Sequence, residues 1–447
     1  MLRLGTGAGF SADRLDPAVE LVRKGNLDYI IFECIGERTL AFGHRDRLQN
    51  PTGGYNPLLE QRFRAILPLC AENQTRVITN MGVANPKAAA QKTRAIVDEL
   101  GLQKLSVVYV TGDDVTALID DATELPELGC TVGEAGLSMV GANAYIGIDA
   151  LIPAIETGAD VIITGRIADP SLFLAPMVHA FGWQNIPSDN TGWQRLGTGT
   201  LIGHLMECAA QVTGGYFADP GVKPVQNLAY VGFPIAEVEA DASAVITKLP
   251  GAGGHVTLQT VKEQLLYEVH NPAAYVTPDV VADFSTVQLT DQGQDRVHVA
   301  NAGGAKRPDD LKVTVAFDGG YLAEGEISYA GPGAVGRAQL AGEILRERMI
   351  HLHGFTGELR VDLIGVNALH GTAHQPVSDD DAQDVRLRVA LRSTKRDDGE
   401  LLLWDVESLL CCGPAGGGGF RGRITPSVVT HSTFLPREQV QTSVEVV

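Results

Sequence analysis

Gly158-Ala159-Asp160-Val161-Ile162-Ile163-Thr164-Gly165-Arg166-Ile167-Ala168-Asp169-Pro170 reads as a buried strand over residues 161–164 running into a loop with an arginine and a carboxylate. A short apolar run closed by glycine at both ends fits a strand covered on both faces. An earlier stretch has the same grammar: Gly25-Asn26-Leu27-Asp28-Tyr29-Ile30-Ile31-Phe32-Glu33-Cys34-Ile35-Gly36-Glu37. Each follows a short helical run opened by an aspartate, Asp16 or Asp149, with Gly25 or Gly158 nine residues later. One helix–turn–strand unit is used twice, and the charged loop after each strand is the candidate site.

Short apolar strands alternate with helical runs through residues 1–171. Strands are expected near 2–4, 29–32, 77–79, 106–110 and 161–164, with helices over 58–70 and 87–100 between them. That alternation implies an α/β region with a mostly parallel sheet and helices on both faces. Several strands end in polar groups, namely Glu33, Asn80, Asp113 and Arg166. Ligands of open α/β sheets bind beyond the carboxyl ends of strands, so these residues belong to one candidate edge. Asp113 or Asp114 also reads as a simple cap for the following helix.

Residues 172–350 change character to α+β. A small-residue helix over 199–210 carries His204 and Glu207, and strands are expected at 244–248 and 312–316. The tail, 357–447, reads as a further α+β domain. It has strands over 358–366, 385–392 and 427–434 and a helix over 401–410. Polar loops are expected at 374–384 and 395–400, and Gly416 to Gly419 form a glycine run. That run is either a mobile loop closing over a site, with Gly416 and Gly417 touching substrate, or a tight crossing or subunit contact.

The whole chain has 35 Lys and Arg against 54 Asp and Glu, a formal charge of −19. Such a balance, without any basic run, repels nucleic acid and acidic membrane surfaces. Six scattered cysteines without a CxxC pair fit reduced thiols. No stretch approaches the ~20 apolar residues of a membrane span. A soluble cytoplasmic protein, assembled as a homo-oligomer, is expected.

Gly5-x-Gly7-x-Gly9 after the first strand invites a dinucleotide reading, but Phe10 and the glycine spacing depart from that fingerprint. A turn that brings backbone amides to a substrate is the better reading. His204 and Glu207, at i and i+3, lack the third ligand of a metal site; His204 is either a general acid or base or a structural histidine. The absence of a G-x-S-x-G elbow and of a P-loop disfavours α/β-hydrolases and P-loop NTPases.

Gly7-Ala8-Gly9-Phe10-Ser11-Ala12-Asp13-Arg14, Phe32-Glu33-Cys34, Thr79-Asn80-Met81-Gly82, Val110-Thr111-Gly112-Asp113-Asp114, Ala142-Asn143-Ala144-Tyr145 and Ile163-Thr164-Gly165-Arg166-Ile167-Ala168-Asp169-Pro170 occur in this order. Together with Gly214-Gly215-Tyr216-Phe217-Ala218-Asp219-Pro220, they resemble the acyclic terpene utilisation AtuA family over most of residues 1–370. The tail resembles the ferredoxin-like domain often attached to it. Ala12 stands where the family pattern has glycine. The resemblance implies a place in the breakdown of citronellol- and geraniol-type acids through acyl-CoA esters, and it carries over no catalytic residue.

The first functional expectation is a lyase of the hydratase or dehydratase type, acting on a small branched or hydroxylated carboxylate, free or as a CoA thioester. Asp13, Arg14, Glu33, Asn80, Asp113, Arg166 and Asp169 would line one pocket. Arg166 or Arg14 would grip the carboxylate in bidentate fashion, Asp113 or Glu33 would move the proton, and the Gly7 and Gly9 amides would meet oxyanion charge. His204 is a candidate partner, and a divalent Mg or Mn ion on Asp113, Asp114 or Glu33 is a further option. The alternatives are a noncatalytic subunit binding an acyl-CoA or a partner enzyme, and a thioester or lactone hydrolase.

Overall fold

A computed structural model describes residues 1–373 and 384–447. The loop expected at 374–384 therefore lies, up to residue 383, outside the described residues. The chain forms two compact units, Met1–Ala316 with Thr430–Val447, and Phe317–Val429.

Five parallel strands make the centre of the first unit: β1 (Leu2–Ala8), β2 (Tyr29–Phe32), β3 (Arg76–Thr79), β4 (Val107–Thr111) and β5 (Val161–Ile163). They lie in the order β1-β2-β3-β5-β4. All four residues of β2 and all three of β5 are buried, as continuous apolar runs in a two-faced sheet require. The two helix–turn–strand units are Asp16–Lys24 with β2 and Ile148–Glu156 with β5. Their strands flank β3 on either side.

The α/β reading stands, and the sheet is mixed. Beyond β1 lie four strands joined by antiparallel pairing, Pro234–Val238, Ala244–Lys248, Val297–Ala300 and Gln288–Asp291. At the other edge Ser443–Val446 pairs antiparallel with β4. The parallel part is thus the core of a ten-stranded sheet.

Right-handed crossovers dictate the layers. From β1 to β4 the chain moves one way, and helices Asp16–Lys24, Leu59–Asn73 and Pro86–Glu99 pack together on one face. Their apolar stripe, including Leu21, Phe63, Ile66 and Ile96, closes over Ile30, Phe32 and Val77. From β4 to β5 the chain steps back, which sends Ile148–Glu156 to the opposite face, against Asp169–Phe181, itself packed on Asn190–Glu207. The topological switch therefore falls between β3 and β5.

Asn190–Glu207 is buried nearly all round, from Leu196 to Glu207 without a break. Glycine permits that depth. A Cβ on Gly203 would lie 2.6 Å from the Pro170 carbonyl oxygen, and one on Gly197 2.0 Å from that of Gly303.

The break falls near residue 316, with a return at 430, where the sequence put the start of the last domain at 357. Residues 172–316 share a core with 1–171 because helices Asp169–Phe181 and Asn190–Glu207 cover the sheet, and 430–447 returns to the same unit. The second unit holds Leu359–Ile364, Asp384–Ser393, residues 317–330 of the strand Asp310–Ala330 and residues 418–429 of the strand Gly418–Pro436, in that order, with helices Ala334–Glu347 and Arg396–Cys412. The charged run expected as a loop at 395–400 is mostly the first turn of that last helix. Asp397 and Asp398 there meet the positive end of the helix dipole.

Candidate acid–base cavity at the carboxyl edge of the sheet

At the switch, the loops leaving β1, β2 and β5 open a cavity of about 670 Å³. Six carboxyl groups line it, Asp13, Glu33, Glu37, Asp169, Glu207 and Glu268, against two cations, Arg166 and Lys312.

The loops after β2 and β5 are held by buried bonds across the end of β3. Asn80 accepts from the Cys34 amide at 2.7 Å and donates to Glu33 Oε1 at 3.0 Å. Glu33 Oε1 also accepts the Ile35 amide at 2.7 Å. Loss of water around the buried Glu33, aided by the charge of Asp169, pushes its pKa well above the usual carboxylate range, against the pull of Arg166.

Arg166 is 1% exposed, and its guanidinium is committed. Nη1 donates to the Ile35 carbonyl at 2.8 Å, Nε to the Ile167 carbonyl at 3.0 Å, and Nη2 to Ile167 and Asp169. Its carbon centre sits 4.5 Å from the centroid of the Tyr145 ring. With these donors engaged, a bidentate grip on a substrate carboxylate is not open to it; it serves as the buttress joining the two loops and as the positive charge beneath Asp169. Burial holds the Asp169 carboxyl above its ordinary range, with Arg166 opposing.

Asp113 does not line the cavity. It is buried behind the β5 loop, where Oδ2 accepts the Arg166 amide at 2.7 Å and Asn143 Nδ2 at 2.8 Å. Burial raises its pKa to about 6. Its place is that of a positioning residue, away from the cavity and so not that of the proton carrier expected for it. Asn80 is likewise a positioning residue.

The turn after β1 differs from expectation in three ways. The Gly9 amide, though at the cavity, donates to Asp13 Oδ2 at 2.9 Å and so is not free for an oxyanion. Gly7 lies within β1, where a Cβ would strike the Phe32 ring at 2.5 Å, so its glycine serves packing. Arg14 points away and donates to the carbonyls of Leu228 and Ala229, at 2.9 and 3.2 Å. Asp13 does line the cavity, its pKa raised by burial.

From the second half of the unit comes the end of Asn190–Glu207. Glu207 faces the cavity, and its Oε1 lies 2.8 Å from His204 Nδ1. The other oxygen, Glu207 Oε2, is buried without a partner, as is His204 Nε2. Burial and the nearby Asp169 charge raise Glu207 well above its usual range, while burial lowers His204 to about 4. The histidine is thus neutral at neutral pH. It is not among the residues lining this cavity, and touches it only through Glu207.

Glu37, Tyr145 and Lys312 complete the wall. The Tyr145 hydroxyl donates to Glu37 Oε1 at 2.5 Å, with Lys312 Nζ 3.4 Å from the same oxygen. Burial works against the Glu37 charge, yet the tyrosine hydroxyl, a backbone amide and the lysine draw its pKa down to about 2. The sequence marks Glu37 as a carboxylate of the charged loop after β2 but gives Tyr145 and Lys312 no part in the site. Glu37 and Tyr145 stand in the stretches quoted above, while Lys312 sits in a strand with no local signal.

Gly416 and Gly417 belong to the second unit, where a Cβ on Gly417 would touch Ile327 and Tyr329 and one on Gly416 would touch Arg337. Among the described residues, no group of three or more His, Cys, Asp or Glu side chains is placed to hold a metal ion. Asp114 instead pairs with Arg47 at 2.9 Å, Asp113 with the β5 loop, and Glu33 with Asn80. The residues expected to carry Mg or Mn do not fit that task. Cys208 lines the cavity, but burial pushes its thiol pKa up, which leaves it a poor nucleophile.

Comparison with known proteins gives one family match, to the model of the acyclic terpene utilisation family protein AtuA, over residues 2–446. Searches of curated proteins and of solved structures returned no match. Among the described residues no helix is long and apolar enough to cross a membrane.

Proposed function

The chain belongs to the acyclic terpene utilisation AtuA family, and from that premise and the cavity above we propose an acid–base enzyme of the hydro-lyase type acting on an acyl thioester. The supporting observation is that two buried carboxyls, Glu33 and Glu207, face one cavity with Asp169 and a desolvated Arg166. Adding water across a carbon–carbon double bond needs a proton for one carbon and a water made nucleophilic at the other. Glu207, on the neutral His204, is the proton donor of this reading. Asp169, whose charge Arg166 stabilises against burial, is the base that takes a proton from water. Glu33 fixes the β2 loop.

The charge balance favours the thioester over the free acid. With Glu33 and Glu207 pushed toward the neutral acid, four further carboxyls still stand against two cations and disfavour a carboxylate, and Arg166 has no bidentate face to offer it. A thioester brings an uncharged reacting end, and Lys312 with the Tyr145 hydroxyl offers polar contacts at the wall.

The test uses a methyl-branched 2-enoyl pantetheine thioester in ¹⁸O-labelled water, with product analysis by mass spectrometry. The expected product carries one ¹⁸O in a new hydroxyl, and Glu207→Gln lowers its rate about 100-fold or more. Label in a released acid would make the protein a hydrolase, and a thermal shift without product would make it a binding subunit; either result overturns the hydro-lyase reading.

A further inference from the structure

A second cavity, of about 540 Å³, lies beside the first in the same unit and shares Tyr145, Asp169 and Lys312 with it. Apart from Asp309 and Asp310, its own lining is mostly apolar. Pro170, Pro278, Pro308 and Leu311 line it, and so do Val276 and Phe434, two large apolar side chains left 63% and 57% exposed. Single exposed apolar residues are ordinary, but two facing one concave surface beside a polar cavity mark a place for an apolar ligand.

The two cavities are built on common supports. Tyr275 lines the second cavity, and its ring lies 5.2 Å from the His204 ring, which in turn holds Glu207 in the first. Pro170 lines the second while Asp169, its neighbour, faces both. Gly203 lets the helix that carries His204 and Glu207 press against Pro170. A ligand in one chamber therefore lies against the residues that set the other.

We propose that the second cavity takes the apolar hydrocarbon tail of the substrate whose thioester end lies in the acid–base cavity, with Tyr145, Asp169 and Lys312 as the threshold between them. The proposal rests on the acid–base reading for the identity of the reacting end. The tail is a chain of carbons beyond the reacting bond, and each methylene it buries there strengthens binding roughly three- to fourfold.

Pantetheine thioesters of butanoic, hexanoic, octanoic and decanoic acid, titrated calorimetrically into the full chain, provide the test. The expected Kd falls about tenfold or more for each added pair of methylenes until the chamber is filled. Val276→Asn and Phe434→Ser, both at exposed positions that spare the core, are expected to flatten this dependence. A chain-length gain untouched by both variants overturns the proposal, as does no gain, or no binding, across the series. Because the readout is binding, it separates from the acid–base reading: Glu207→Gln can leave product formation intact and sink that reading while the chain-length dependence persists.

Discussion

At the scale of single residues, the cavity depends on carboxyls that differ in what burial has done to them. Glu37 is held charged by Tyr145 and Lys312, whereas Glu33 and Glu207 are pushed toward the neutral acid. Asp113, behind the cavity, gives the clearest stability consequence. Its pKa rises from 3.8 to about 6 on folding, so between those values the native state binds more protons than the unfolded chain. Stability from this group is fully present below pH 3.8 and is lost as pH rises through about 6, a total of roughly 3 kcal/mol. Asp113→Asn keeps an oxygen for the Arg166 amide and Asn143 and removes the titration. Urea denaturation of wild type and variant at pH 4 and pH 7 is expected to show the variant gaining on the wild type by that order of magnitude at the higher pH. An equal change in both proteins would mean that Asp113 is not buried against the β5 loop.

At the scale of elements, the helix Asn190–Glu207 links the geometry of the cavity to packing. Its end presents Glu207, and Gly203 packs on the Pro170 carbonyl, one residue from Asp169. Gly203→Ala is expected to move the helix off that loop. Overpacking there costs about 1–3 kcal/mol, and kcat falls with it, because Glu207 and Asp169 separate. Gly418→Ala in the second unit, where a Cβ meets nothing within 4 Å, is the control expected to be silent in both. Thermal denaturation and initial rates on the two variants check this, and a Gly203→Ala protein as active and stable as wild type would detach the helix from the site. Much of this element was legible: its small residues signal close approach, and the i, i+3 spacing puts His204 and Glu207 on one face. What spacing does not carry is the neighbour, since Pro170 is close only through the fold.

At the scale of the whole molecule, the repeated helix–turn–strand unit brings the site together. β2 and β5 flank β3, so the loop with Glu33 and the loop with Arg166 meet across its end, joined by the bond from Arg166 to the Ile35 carbonyl. The parallel centre and the strand-end location were readable because apolar runs and polar strand ends are local signals. The antiparallel edges were not, because pairing partners such as Ser443–Val446 lie more than 300 residues from β4. Nor was the use of each charged group. Arg166 and Asp113 read as free reagents until their hydrogen bonds are counted, and Lys312 gains its part only from Glu37 and Tyr145 beside it. Burial and the nearby Asp169 charge push both Glu33 and Glu207 toward the neutral acid, and protons on both at pH 7 are the expected consequence. Infrared difference spectroscopy of the full chain, comparing wild type with Glu33→Gln and with Glu207→Gln at pH 7, tests it without a substrate. A protonated-carboxyl band in the wild type that weakens in each variant is the predicted result. A wild-type spectrum in which both groups absorb as ionised carboxylates would contradict it.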